Sequence, residues 1–387
     1  MGVWKDCTLA DLGNIVGGAT PSTKNPSNYE NGNISWITPK DLSGFQGRYI
    51  SHGERNITEQ GLNSCSTQLL PKNSILFSSR APIGYVAIAD KELCTNQGFK
   101  SIVPNENTDY LFLYYLLKYN KTNIENMGSG TTFKEVSGNT MRSIPVRVPI
   151  DKEEQSKIAK ILGCIDDKIE ENAKINYNLE QQAITLFRKY YNTATAVVPF
   201  TSMLQVLGGG TPKTSEPSFW NGTIPFFTPK DVGFPYAFVT EKTITPEGLN
   251  HCNSRLYPLN TVFVTARGTV GKVSLAGCPM AMNQSCYALV GKDIDQLLAY
   301  HYTLVTVDKL KHKASGAVFD AIITKDFETE SVSKISDGDA DTFLAIAKPL
   351  YETILSNCLE NQRLTSMKDA LLPQLMSGKI DVSEVEI

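Results

Sequence analysis

Nothing in this 387-residue sequence reaches the run of ~18 apolar residues that a membrane-spanning helix needs. Its opening, Met1-Gly2-Val3-Trp4-Lys5-Asp6, has no signal-peptide apolar stretch, and Asp6 stands where a myristoylation signal needs a hydroxyl. A cytoplasmic protein without membrane contact is expected. The eight cysteines (7, 65, 94, 164, 252, 278, 286 and 358) include no C-x-x-C pair, and His52, His251, His301 and His312 form no ligand motif. That argues against a zinc site and predicts reduced, mostly buried thiols. A strong excess of charge of one sign is lacking too, because 37 Lys and Arg against 40 Asp and Glu leave a formal net charge of only −3. By segment, residues 1–150 carry +2 and 193–336 carry +1, while 151–192 carry −1 and 337–387 carry −5. The small positive excess therefore lies outside the helical segments, and phosphate attraction depends on such local balance more than on the total.

Catalytic patterns are missing as well. Thr265-Ala266-Arg267-Gly268-Thr269-Val270-Gly271-Lys272 approaches a phosphate loop but is too short between its glycines, and Val273 replaces the required hydroxyl. Gly208-Gly209-Gly210 lacks dinucleotide-fingerprint spacing, and Asn25-Pro26-Ser27-Asn28 lacks the second proline and aromatic of an amino-methyltransferase motif. Neither H-E-x-x-H nor G-x-S-x-G occurs. The expectation is a binding protein with no catalytic residue, metal or cofactor of its own.

What is present is a repeat. Gly17-Gly18-Ala19-Thr20-Pro21 returns as Gly208-Gly209-Gly210-Thr211-Pro212, and Thr38-Pro39-Lys40-Asp41 as Thr228-Pro229-Lys230-Asp231. Arg80-Ala81-Pro82-Ile83-Gly84 matches Arg267-Gly268-Thr269-Val270-Gly271, and Asn96-Gln97 matches Asn283-Gln284. Ser129-Gly130 with Phe133 matches Ser315-Gly316 with Phe319. Each copy alternates short β-rich runs (Ser74–Ser78, Gly84–Ala89, Thr261–Thr265) with Gly, Pro and Asn turns, then predicts one helix, Asp109–Lys121 or Asp293–Lys309. Residues 1–150 and 193–336 are thus read as two similar mixed α/β domains, an α+β arrangement overall.

Residues 151–192 and 337–387 read as helical spacers, the second with a C-terminal tail. A strict heptad seam runs Ile158, Leu162, Ile165, Ile169, Asn172, Asn176, Leu179, Ala183, Leu186, Tyr190. The same spacing picks out Phe343, Ala347, Leu350, Ile354, Asn357, Asn361, Leu364, Lys368, Leu371 and Leu375. Asp151 with Glu154 predicts a capping box, and Pro349 should kink the second helix or mark its true start. An antiparallel coiled coil would oppose Asn172 to Asn361 and Asn176 to Asn357, whereas a parallel one would set Asn172 against Asn357. The central asparagines suit the antiparallel, pseudo-twofold option. Their alternative is a solvated seam edge.

The whole chain resembles the specificity (S) subunit of Type I restriction–modification enzymes. The Gly-Thr-Pro openings, the Arg-x-x-x-Gly turns with Asn-Gln downstream, and the helical segments carry the resemblance. So does Leu371-Leu372-Pro373-Gln374-Leu375-Met376-Ser377-Gly378, similar to the family's C-terminal signature. The resemblance implies two target recognition domains, each reading half of a split, asymmetric site in double-stranded DNA. It implies helices that space the readers and dock two methyltransferase (M) subunits, with restriction/translocase (R) subunits joining outside. S-adenosylmethionine, ATP and Mg would belong to those partners.

Several residues are candidates for DNA contact. Arg80 and Arg267, at matching turns, suit phosphate or guanine, unless a carboxylate satisfies them. Lys40 and Lys230 suit phosphate, while Asp41 and Asp231 either accept from cytosine or cap a turn. Thr20, Ser22, Thr211 and Thr214 lie on Gly-rich loops whose hydroxyls suit phosphate. Recurrence of Gln97 and Gln284 in both copies argues for a structural task, since base readers should differ between half-sites. The specificity residues are expected where the copies diverge, Phe45–Arg55 against Phe234–Lys242.

Overall fold

The computed structural model describes residues 3–80, 82–129, 134–313 and 321–385. The chain divides into two compact units, unit 1 of residues 1–170 with 362–387 and unit 2 of residues 171–361. Ala81, Gly130, Phe133 and the Ser315-Gly316/Phe319 motif lie outside the described residues.

Both units repeat one topology. Unit 1 has a five-stranded sheet ordered Gly13–Gly17, Lys100–Pro104, Ile75–Phe77, Val86–Ala89, Tyr49–Ile50. Only the last pair is parallel. Unit 2 places Leu204–Gly208, Cys286–Gly291, Val262–Thr265, Val273–Ala276 and Tyr236–Ala237 in the same order. Each unit adds a three-stranded sheet, centred on Ile34–Ile37 or Trp220–Phe227, and a two-stranded ribbon. The central strands are buried on both faces (Ile75, Leu76 and Phe77; Val262, Phe263 and Val264), which explains their unbroken apolar runs.

The helix after these strands starts where a carboxylate can cap it. Asp109 Oδ1 accepts from Phe112 N at 2.8 Å and opens Tyr110–Tyr119, a cap worth ~1 kcal/mol. In unit 2 the expected start at Asp293 is displaced, because Asp293 adopts a left-handed φ of 57°. Asp295 Oδ1 instead accepts from Leu297 N at 2.9 Å, and the helix runs Gln296–Lys313.

Two long helices, Lys152–Thr193 and Asp337–Met376, complete the fold. Asp151 Oδ1 caps the first by accepting from Glu153 N at 2.9 Å. Glu154 faces the Trp4 side chain, so it does not close the expected capping box. The second helix starts at Asp337, capped by Ser336 Oγ accepting from Asp339 N at 3.1 Å, and continues through Pro349. Fully buried Phe343 and Ala347 anchor its opening turns, which outweighs the hydrogen bond a mid-helix proline removes.

Within unit 2 the two helices run antiparallel. Asn172 Nδ2 donates to Asn361 Oδ1 at 2.9 Å and to Glu360 Oε2 at 2.7 Å, and Asn357 Nδ2 donates to Asn176 Oδ1 at 2.8 Å. Asn172 and Asn176 are buried, so these bonds penalise any slipped register. The heptad, however, does not persist. The buried positions are Asn172, Asn176, Glu180, Ala183, Phe187 and Tyr191, whereas Leu179, Leu186 and Tyr190 are half-buried. That spacing follows an undistorted helix rather than a 3.5-residue seam, because this face packs on the globular core of unit 2 as well as on the other helix.

Candidate nucleic-acid interface

The Gly-Thr-Pro loops, the Thr-Pro-Lys-Asp turns and the arginine turns are positioned alike in each unit. The second glycine of the loop passes very close to the Asn-Gln segment: a Cβ on Gly18 would lie 2.1 Å from Asn96 O, and on Gly209 2.1 Å from Asn283 O. Only glycine permits that approach. It lets Thr20 Oγ1 donate to Gln97 Oε1 and Thr211 Oγ1 to Gln284 Oε1, which is the structural task expected of the two glutamines. Ser22 is exposed, with its carbonyl accepting from Asn28 Nδ2 at 3.0 Å. Thr214 is exposed as well.

Asp41 and Asp231 hold turns. Asp41 Oδ2 accepts from Thr38 N and Oγ1, both at 2.7 Å, and Oδ1 from Glu54 N at 2.7 Å. Asp231 repeats this with Thr228 N at 2.8 Å, Thr228 Oγ1 at 2.6 Å and Glu241 N at 2.7 Å. The neighbouring lysines are exposed and each meets a carboxylate, Lys40 with Glu54 at 2.7 Å and Lys230 with Glu241 at 3.2 Å. Such exposed pairs contribute little and yield readily to a phosphate.

Arg80 and Arg267 stand in the hairpin turns between the third and fourth strands of each five-stranded sheet. Gly84 N donates to Ser78 O at 2.9 Å and Gly271 N to Thr265 O at 2.8 Å, closing these turns. Neither guanidinium has a carboxylate partner among the described residues. A turn that offers an arginine at the same place in both repeats, free of any described carboxylate, can grip an anion.

Residues 1–181 and 195–333 match the family model of the Type I restriction modification DNA specificity domain. The chain belongs to that family. It is 31% identical to the Type I restriction enzyme MjaIX specificity subunit of Methanocaldococcus jannaschii, over 99% of this chain and 94% of that one. It is 24% identical to the HindI specificity subunit of Haemophilus influenzae, over 98% of this chain and all of that one. Its fold is similar to the crystal structure of a Type-I restriction-modification system S subunit from M. genitalium. There the TM-score is 0.59 at 16% identity, with 97% of this chain and 96% of that one covered. Among the described residues no helix is long and apolar enough to cross a membrane.

Sequence reasoning missed the residues that fasten each globular part to its helices. In unit 1, Arg48 is buried and donates to Asp167 and, at 3.0 Å, to Glu170 Oε1. Asp166 accepts from Tyr115 Oη at 2.7 Å and from Lys368 Nζ at 2.5 Å. In unit 2, Tyr300 Oη donates to buried Glu180 at 2.5 Å, and burial pushes the Glu180 carboxyl up to about 7 against the lowering effect of that bond. His301 stacks on Phe187 at 5.1 Å and lies 3.2 Å from Tyr351 Oη, and burial pushes its imidazole down to about 3. One signal could have found Arg48: it sits in a stretch where the copies diverge, opposite Pro235.

Proposed function

We propose that this chain is the non-catalytic DNA sequence-specificity subunit of a Type I restriction–modification complex, binding a bipartite, asymmetric site. One observation carries the reading: a single domain fold occurs twice, each copy presenting on the same hairpin turn an arginine with no carboxylate partner among the described residues, while the neighbouring loops differ. Matched arginines suit phosphate, which is the same in any sequence, and unlike loops suit unlike half-sites. Two readers joined in one chain add their binding free energies on one duplex when the spacing fits.

The long helices then serve two methyltransferase subunits, with restriction/translocase subunits joining them. S-adenosylmethionine, ATP and Mg belong to those partners. The eight free thiols accord with work in the cytoplasm. Co-expression with a methyltransferase subunit of its own system, followed by long-read mapping of N6-methyladenine, tests the proposal. The expected result is a split, asymmetric motif that disappears when this chain is omitted; methylation that persists without the chain would refute it.

A further inference from the structure

Unit 2 carries a cleft of about 650 Å³ beside its Lys230 and Arg267 turns, whereas the corresponding notch of unit 1 measures about 200 Å³. Sequence differences open it. The path from Val232 to Tyr236 is three residues shorter than its counterpart from Leu42 to Tyr49. Pro235 replaces Arg48, so no guanidinium crosses to the long helix. Lys272 replaces Tyr85, and Leu304 replaces Lys118.

The wall of the cleft is apolar, formed by half-buried Ile184, Leu304 and Val305 over the buried Phe187 and Val307, with exposed Phe234 at the rim. The rim is cationic. Arg188 faces Asp308 at 3.9 Å, and Lys230 has Glu241. Lys272 and Lys311 have no carboxylate within ion-pair distance among the described residues. Lys311 lies across Gly271, whose added Cβ would meet its Cε at 2.5 Å. Burial and the neighbouring Lys272 lower the Lys311 pKa, with Asp308 opposing them. Two unpaired cations above an apolar wall suit a ligand with a planar part and an anionic part, and the volume is typical of a ligand pocket (~300–1,000 Å³). Thr269 Oγ1 donates to Pro229 O at 3.1 Å, joining the rim to the Lys230 turn and so to the candidate DNA face.

We infer that this cleft receives one nucleotide unit, its base against Ile184, Leu304 and Val305 and its phosphate between Lys272 and Lys311. The nucleotide is either a base drawn out of the bound duplex or a free mononucleotide. The first source rests on the DNA-reading function proposed above; the second does not. Extrusion is easiest where a base pair is already weak, which would give unit 2 a form of sequence discrimination that the smaller notch of unit 1 lacks.

The test uses the full chain assembled with its methyltransferase partner on its mapped site. 2-Aminopurine is placed in turn at each position of the half-site read by unit 2. A severalfold fluorescence rise is expected at one position. It should be lost in Leu304→Trp, which fills the cleft, and in Lys272→Gln/Lys311→Gln, which leaves the core intact. It should be unchanged in Lys121→Gln of unit 1. A second arm titrates the full chain, without DNA, with 2-aminopurine deoxyriboside 5′-monophosphate. Binding that weakens about tenfold for each lysine removed identifies a free nucleotide as the source. Specific DNA binding with no signal in either arm overturns the cleft and leaves the DNA reading standing. Absence of specific DNA binding overturns the DNA reading, and the mononucleotide arm then decides the cleft alone.

Discussion

The two units share one topology but fasten their globular parts to the long helices by different chemistry. Unit 1 uses charge: Arg48 with Asp167 and Glu170, and Asp166 with Lys368 and Tyr115. Unit 2 uses an aromatic cluster of Phe187, His301, Tyr302, Phe343 and Tyr351, with one buried carboxylate, Glu180. Asp109 and Asp295 open corresponding helices, which aligns Tyr115 with His301. The Tyr–Asp contact of one copy has thus become the His–Tyr contact of the other. A fold of this kind requires a tight helix-to-domain joint, and either solution supplies it. The aromatic one leaves the larger cleft, because nothing long and charged has to cross from the recognition loop to the helix.

That comparison can be broken or sharpened by mutation. The largest expected effect is Phe187→Ala, which removes a fully buried ring at the centre of the unit 2 cluster and should cost ~3–5 kcal/mol. Its counterpart Leu372→Ala, half-buried in unit 1, should cost much less. Hydrogen exchange resolved by unit would check both, and equal losses would sink the contrast.

Next is Arg48→Met, which leaves Asp167 and Glu170 without their cation. We expect a loss of roughly 2–3 kcal/mol confined to unit 1, read from denaturant unfolding alongside exchange. A change of similar size in unit 2 would contradict the assignment.

Arg80→Ala and Arg267→Ala should each weaken DNA binding by ~1–3 kcal/mol and reduce the salt-dependence slope by about one, nearly equally in the two units. A change in sequence preference at one half-site would instead make that arginine a base reader.

The smallest effect is on pH. Burial raises the Glu180 pKa to about 7 from an ordinary value of 4.5, so the folded state holds its proton more tightly than the unfolded state. Its contribution is fully favourable below about 4.5 and is lost as pH rises through 7. Glu180→Gln, neutral at every pH, should therefore flatten this pH dependence and raise the Tm of unit 2 more at pH 8 than at pH 5, as thermal unfolding at the two pH values would show. His301 runs the other way: its folded pKa is lowered, so unit 2 loses stability as pH falls below about 6.5. Asp166→Asn, by contrast, should destabilise unit 1 at neutral pH, because Lys368 would lose its partner.

Much of the fold was legible because it was written twice. The matched Gly-Thr-Pro, Lys-Asp and Arg-Gly segments mark turns whose geometry is local, and Asp41, Asp231, Gly18 and Gly209 do what their residue types favour. The arginines could be placed on turns from sequence, but whether a carboxylate meets them depends on residues distant in the chain. Arg48, Glu180, His301 and Lys311 were invisible as functional groups, since burial and neighbours are set by packing.

By itself the sequence determined the duplication, the turn chemistry, the two long helices and the asparagines that align them, because each rests on short-range preference or on repetition. Only the tertiary structure decided the antiparallel pairing within unit 2, the drift from a heptad to an undistorted helical face, and the passage of the second helix through Pro349. It also decided which domain keeps an open cleft. Those outcomes depend on what packs on each face, and burial free energy is summed over contacts that no local window contains.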